Sequence, residues 1–169
     1  MESEPAAFID RTLRAEASEW RTWADGDASV GGLGVYGASV GAIRGTVRDA
    51  LRRHRGLSHD DITALAAELW AVPVFDRRFA AIVLLQGQVD VLTGKDLTRV
   101  EGFLRDARAA RLIEPLTLDV VRPLLARLGG AEADRAQRIV ARWSISDSES
   151  LIVAAALLRE PGRRPTPSG

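Results

Sequence analysis

The chain has 169 residues, 46% of them apolar and 27% charged, a balance that supports a buried core and excludes a disordered or fibrous chain. Twenty-three Lys plus Arg offset twenty-three Asp plus Glu, which excludes a uniformly basic nucleic-acid binder but leaves room for a local basic face. With no Cys, the chain has no disulfide, thiol nucleophile or cysteine zinc site, and only His54 and His59 remain as histidine ligands, so no metal site is expected.

The opening MESEPAAFIDRTLRAE is charged where a secretory signal needs an apolar run. No stretch reaches the ~18 apolar residues of a membrane helix, so the expected location is the cytoplasm. Phe8, Leu13, Ala17, Trp20 and Trp23 recur at roughly helical spacing and predict a helix over 5–24, with Pro5 in its first turn. Five glycines between Asp25 and Gly37 then break the helix. They lack both the lysine of a P-loop and the spacing of a dinucleotide fingerprint.

From Ser39 the helical pattern returns, with Val40, Ile43, Val47 and Leu51 as the apolar stripe. Arg44, Arg48 and Arg52 lie four apart on another face, continued by Arg53 and Arg55, and Gly56 is placed to close the helix. Ser58 with Asp61 suggests a capped start for a helix running to Trp70. Val72-Pro73 separates it from a helix reaching about Val91. Helices over 93–110 and 114–128 follow, and Gly129-Gly130 ends the second. The last pair covers 131–143 and 147–160, with Ser146 and Glu149 spaced as a capping box. Pairs beginning near 58, 95 and 131 predict an all-α, HEAT-like repeat solenoid over 1–160, with an irregular helical bundle as the alternative, and the Pro- and Gly-rich 161–169 reads as a disordered tail.

No nucleophile–base pair can be assembled from spacing, since neither His has an acidic partner legible in the sequence. Arginine faces are the stronger signal. Besides the row at Arg44, Arg48 and Arg52, Arg135, Arg138 and Arg142 line one later helix, while Arg99, Arg105, Arg108 and Arg111 mark another stretch. Stacked helices could join these into a groove for a phosphate backbone. The competing reading is a solvated surface held by local pairs such as Asp49 with Arg52 or Arg53, and Asp134 with Arg138. Trp20, Trp23, Trp70 and Trp143 sit on or beside apolar stripes. Trp143 also ends a helix whose other face is basic, which makes it a candidate DNA contact. Arg78, just after a helix start, reads as a partner between repeats.

YGASVGAIR (36–44) resembles the entry motif of the DNA alkylation repair family, the AlkD-like DNA glycosylases. LAAELWAVPVFDRRFAAIVLL (65–85) is similar to that family's L-W-x-S-P-x-x-E-x-R segment, with Trp70, Pro73, Asp76 and Arg78 in register. RWSISDSESLIVAAALL (142–158) resembles its W-x-x-S-D-N segment. The resemblance implies a HEAT-like solenoid that holds double-stranded DNA and releases N-alkylated purines without a cofactor. It makes Glu114 the carboxylate that stabilises charge developing on the sugar. Arg44, Arg48, Arg52, Arg111, Arg138, Arg142 and Trp143 become the DNA-contact candidates. Several positions depart from the family pattern: Glu114 replaces an Asp, Ala110 a Trp, Val153 an Arg and Ser150 a Trp, and the family's later helices have no counterpart. Pro115 offers Glu114 a second role, as an acid at a helix N-terminus. The alternative function is a non-catalytic scaffold, with a protein partner or self-association at an apolar C-terminal end.

Overall fold

The computed structural model describes residues 1–17 and 30–161. Trp20, Trp23 and the expected tail beyond Pro161 lie outside the described residues. Among the described residues the structure is helical, with one isolated parallel bridge between Gly34 and Val74.

Helix α1 (Glu4–Ala15) begins at Ser3, whose hydroxyl accepts the Ala6 N–H at 3.4 Å, and buries Ala6, Ile9 and Leu13. Helix α2 (Val40–Arg53) is capped in the same way by Ser39, which accepts from Ala42 at 3.1 Å. It ends at Arg53, with His54 as its cap. Gly56, expected to close it, lies further on, where φ of +76° forms the turn into the next helix. Helix α3 (His59–Ala71) starts with a full capping box between Ser58 and Asp61.

Helix α4 (Phe75–Gly87) is the centre of the molecule. Even Asp76, Arg77 and Arg78 in its first turns are at most 4% exposed. It stops at Gly87 rather than near Val91, and a short 3-10 turn (Val89–Val91) follows. A second 3-10 turn (Gly94–Asp96), held by the Thr93 N–H donating to Asp96 at 2.8 Å, replaces the expected start of α5 (Leu97–Arg105).

Helix α6 (Ala110–Pro115) starts before the expected 114. It runs through a π-helical stretch (Leu116–Val121) into α7 (Arg122–Arg127). Pro115 and Pro123 lack the N–H groups of the ordinary ladder and crowd the carbonyls a turn behind, and the wider turn accommodates them. The Arg122 N–H accordingly reaches back to the Thr117 carbonyl. Glu114 is therefore the fifth residue of a helix, past the turn where the dipole favours an acid. Gly129-Gly130 opens α8 (Gly130–Trp143) as well as ending α7. Helix α9 (Glu149–Arg159) begins at Ser148 with no side-chain cap. Ser146 instead accepts the Ser148 N–H at 3.1 Å, so the expected capping box does not form.

The helices pair as α1/α2, α3/α4, α5/α6–α7 and α8/α9. The second members, α2, α4, α6–α7 and α9, pack in sequence as one row, and α1, α3, α5 and α8 lie on the other side. This is an all-α paired-helix repeat fold. Buried polar groups tie the pairs together. Arg78 lies over the Trp70 ring at 5.1 Å and donates to the Trp70 carbonyl at 3.1 Å and to Asp106 Oδ2 at 2.7 Å, so α3, α4 and the end of α5 share one guanidinium. Trp70 stacks on Phe103 with centroids 4.6 Å apart. Asp76 accepts the N–H groups of Tyr36 and Ala38, each at 2.8 Å, and so fixes the entry to α2. Gly31 is required where it stands: φ is +61° and a Cβ would fall 2.4 Å from the Arg108 carbonyl oxygen.

Candidate nucleic-acid interface

The α2–α4–α6–α9 row carries the first group of expected residues. On α2, Arg44, Arg48 and Arg52 are exposed along one edge. Arg44 donates to Gln86 of α4 at 3.1 Å. Arg48 and Arg52 share Asp49, at 3.9 and 3.8 Å, so the expected Asp49–Arg52 pair is present but long and exposed. Together with Arg55, these arginines edge a shallow groove of about 520 Å³ whose floor includes Leu51 and Val83.

On α6, Arg111 lies over the Phe75 ring at 4.9 Å, and Glu114 is exposed one turn further on, on the same face. Glu114 lines a cavity of about 360 Å³ between the α6–π stretch and α9, with Asp119, Arg122 and Glu160 around it. Arg122 is committed to the end of α9, donating to the carbonyls of Leu157 at 2.6 Å and Glu160 at 3.2 Å. The cavity is therefore negative in balance, which suits a cation better than a phosphate. Ala110 is exposed at the start of α6, and Ile152 and Val153 are 43% and 40% exposed on α9.

The second group stands on α8, apart from this row. Arg138 and Arg142 are exposed there, and Asp134 is in no described ion pair with Arg138. Trp143 is 1% exposed, and its indole N–H donates to Glu101 at 3.0 Å, so its ring is packed into the core between α8 and α5. The structure thus brings Arg44, Arg48, Arg52, Arg111 and Glu114 onto one row and separates them from Arg138, Arg142 and Trp143.

Both histidines have acidic partners that spacing could not reveal: His54 meets Glu4 at 2.5 Å, and His59 meets Asp60 and Asp96 at 2.8 Å each. Donation from its ring nitrogens to Asp96 first and then Asp60 leads in raising the His59 imidazole above its ordinary value. The neighbouring Ser58 hydroxyl donates to Asp61 at 2.6 Å as part of the α3 capping box and not to His59. Among the described residues no three His, Cys, Asp or Glu side chains are grouped to hold a metal ion, and no helix is long and apolar enough to cross a membrane.

The DNA alkylation repair enzyme family matches residues 9–158. The chain belongs to that family. No curated protein matches it. Within this family member, the motif residues that carried the resemblance are scaffold: Trp70, Asp76 and Arg78 are 4%, 1% and 2% exposed, Asp76 holding the entry to α2 and Arg78 joining Trp70 of α3 to the end of α5. Of the positions that depart from the family pattern, Ala110, Glu114 and Val153 are instead open to solvent on the row, and Ser150 is half-buried. Sequence reasoning missed Arg122, Asp119 and Glu160 around Glu114. Their meeting depends on the π turn and on the packing of α9, which no local spacing encodes.

Proposed function

We propose that this protein binds double-stranded DNA along the α2–α4–α6–α9 row and releases cationic N-alkylated purines by hydrolysing the N-glycosidic bond. The observation that carries the reading is the placement of Glu114. It is an exposed carboxylate in a negative cavity, one helical turn from Arg111 and on the same row as Arg44, Arg48 and Arg52. In this reading the arginines take phosphates, which positions the duplex without reading its sequence. The alkylated base already carries positive charge and departs with the bonding pair, becoming neutral. Charge then develops at C1′ of the sugar, where Glu114 stabilises it. Water adds at C1′ and loses a proton, leaving an abasic site and the free base.

The test compares the full chain on a duplex bearing a cationic-nucleotide or stable abasic mimic with its binding to the unmodified duplex, across a salt series. Base release by the wild type and Glu114→Gln is then measured. Salt-sensitive preference for the modified duplex, with release lost in Glu114→Gln, is the expected result. Salt-sensitive binding without preference would leave a phosphate-binding scaffold.

A second reading, a scaffold for protein contact at the α8–α9 end, is favoured by the exposure of Ile145 at 85% between α8 and α9 and of Ile152 and Val153 on α9. Absence of any duplex binding at low salt would put that reading first.

A further inference from the structure

The groove beside α2 has a chemistry that phosphate binding leaves unused. We infer that it docks an acidic amphipathic helix of a partner protein, which excludes DNA from the same arginines while bound. The docking goes beyond the DNA reading and stands without it, and only the exclusion of DNA rests on that reading.

Three observations point to this occupant. The first is the floor, which is aliphatic: Leu51 of α2 and Val83 of α4 are half-buried, with Val47 beneath them. No aromatic ring lines the groove, so an unstacked base would find no platform, and a phosphate strand needs no apolar floor. Leucine-like side chains on one helix face do fit such a surface.

The second is charge. Arg44, Arg48, Arg52 and Arg55 edge the groove and no acidic residue lines it. Asp49 is the only carboxylate on α2, and it is divided between Arg48 at 3.9 Å and Arg52 at 3.8 Å. A ligand carboxylate therefore meets weakly compensated guanidinium groups.

The third is spacing. Arg44, Arg48 and Arg52 advance by about 6 Å per step along α2, and so do carboxylates four residues apart on a partner helix. Gly87 at the end of α4 has open space beyond it, with nothing outside its own stretch of chain within 4 Å of where a Cβ would be. A partner backbone can approach closely there.

The test uses the full chain and a labelled helical peptide with Glu at i, i+4 and i+8 and Leu on the adjoining face. A control peptide keeps the charge and replaces Leu by Ser, and a short unmodified duplex is the third probe. The Leu peptide is expected to bind at least tenfold more tightly than the Ser control and to displace bound duplex. Val83→Thr and Leu51→Gln should weaken the Leu peptide about five- to tenfold and leave duplex affinity within twofold, whereas Arg48→Ala weakens whichever anions bind. Circular dichroism checks folding, and Val83→Thr, which keeps the side-chain shape, decides the matter if Leu51→Gln unfolds. Equal binding of the two peptides, or no binding of the Leu peptide at low salt, overturns the inference. Peptide binding without duplex binding would instead overturn the DNA reading and leave this inference standing.

Discussion

The guanidinium of Arg78 lies 5.1 Å above the indole of Trp70 and donates its Nε proton to the Trp70 carbonyl at 3.1 Å. The same side chain reaches Asp106 through both terminal nitrogens, at its carbonyl (2.5 Å) and its carboxylate (2.7 Å). Burial leads in pulling Arg78 below the usual guanidinium value, and Asp106 works against it, as expected for a cation held inside the fold by a single acid. Lysine has no fixed fork and cannot satisfy the three acceptors together. Arg78→Lys should cost about 2–4 kcal/mol, because acceptors are left without partners in the interior. Chemical denaturation at constant pH measures this, and a loss under 1 kcal/mol would show that the clamp is dispensable.

Asp10 holds the N-terminal helix against α4. Its Oδ1 accepts from the Tyr36 hydroxyl at 2.6 Å and Arg77 at 2.8 Å, and its Oδ2 accepts from Arg14 at 2.7 Å. Burial acts to raise the Asp10 carboxyl, but bonds from Tyr36, Arg14 and Arg77 outweigh it and hold the group at about 2. A depressed acid contributes stability above its unfolded value of 3.8, and that contribution fades as pH falls through about 2. Asp10→Asn should therefore lose roughly 1–2 kcal/mol at neutral pH, with the gap to wild type closing toward pH 2. Denaturant midpoints across that acid range give the comparison. A gap that stays constant with pH would refute the carboxylate's role.

His59 bridges α3 to the turn before α5, with Nδ1 at Asp60 and Nε2 at Asp96, both at 2.8 Å. Two carboxylate acceptors require both ring nitrogens to donate, which only the imidazolium can do. Its value is raised above 6.5, led by the Asp96 bond, so the stabilisation is complete below pH 6.5 and declines as pH rises through the higher folded value. Wild type should lose thermal stability relative to His59→Gln as pH rises above 6.5. Parallel melting profiles for the two proteins would contradict the assignment.

The repeat architecture was legible because its signals are local. Ser39, Ser58 and Pro5 mark helix starts through the backbone groups next to them, and the apolar period of α2 and α3 fixes their buried faces. The third pair was misplaced where competing chemistry decides the boundary. Pro115 reads as a helix start, yet the π turn carries one continuous helix across it from Ala110. Arg44, Arg48 and Arg52 could be read as a row because they share one helix. Trp143 reads as a DNA contact from the basic face beside it but is buried, because Glu101, 42 residues away, accepts its indole proton. For the same reason Glu114 was nameable from the family pattern while its neighbours Arg122 and Glu160 were not.

The substituted family positions give a direct functional prediction. Ala110 begins α6 with its side chain in solvent, and Val153 is 40% exposed on α9, so neither position needs core space to accept a larger group. Exposed substitutions of this kind usually change stability by no more than about 0.5 kcal/mol. If the row retains the family's chemistry, Ala110→Trp with Val153→Arg rebuilds an aromatic wall and a cation beside Glu114, which should tighten binding to a cationic-lesion duplex. Adding Glu114→Asp shortens the carboxylate by one methylene to the family's length. The triple variant should release N-alkylpurine on the order of 10²–10³ times faster than wild type, the size of effect expected when one preorganised electrostatic partner is gained or lost. Introducing Asn in place of that carboxylate should return the rate to the wild-type level or below. Tighter lesion binding with no gain in release would show that positioning has been restored and the carboxylate has not. No gain in either, in a folded variant, would argue that this row does not serve as the family's catalytic face.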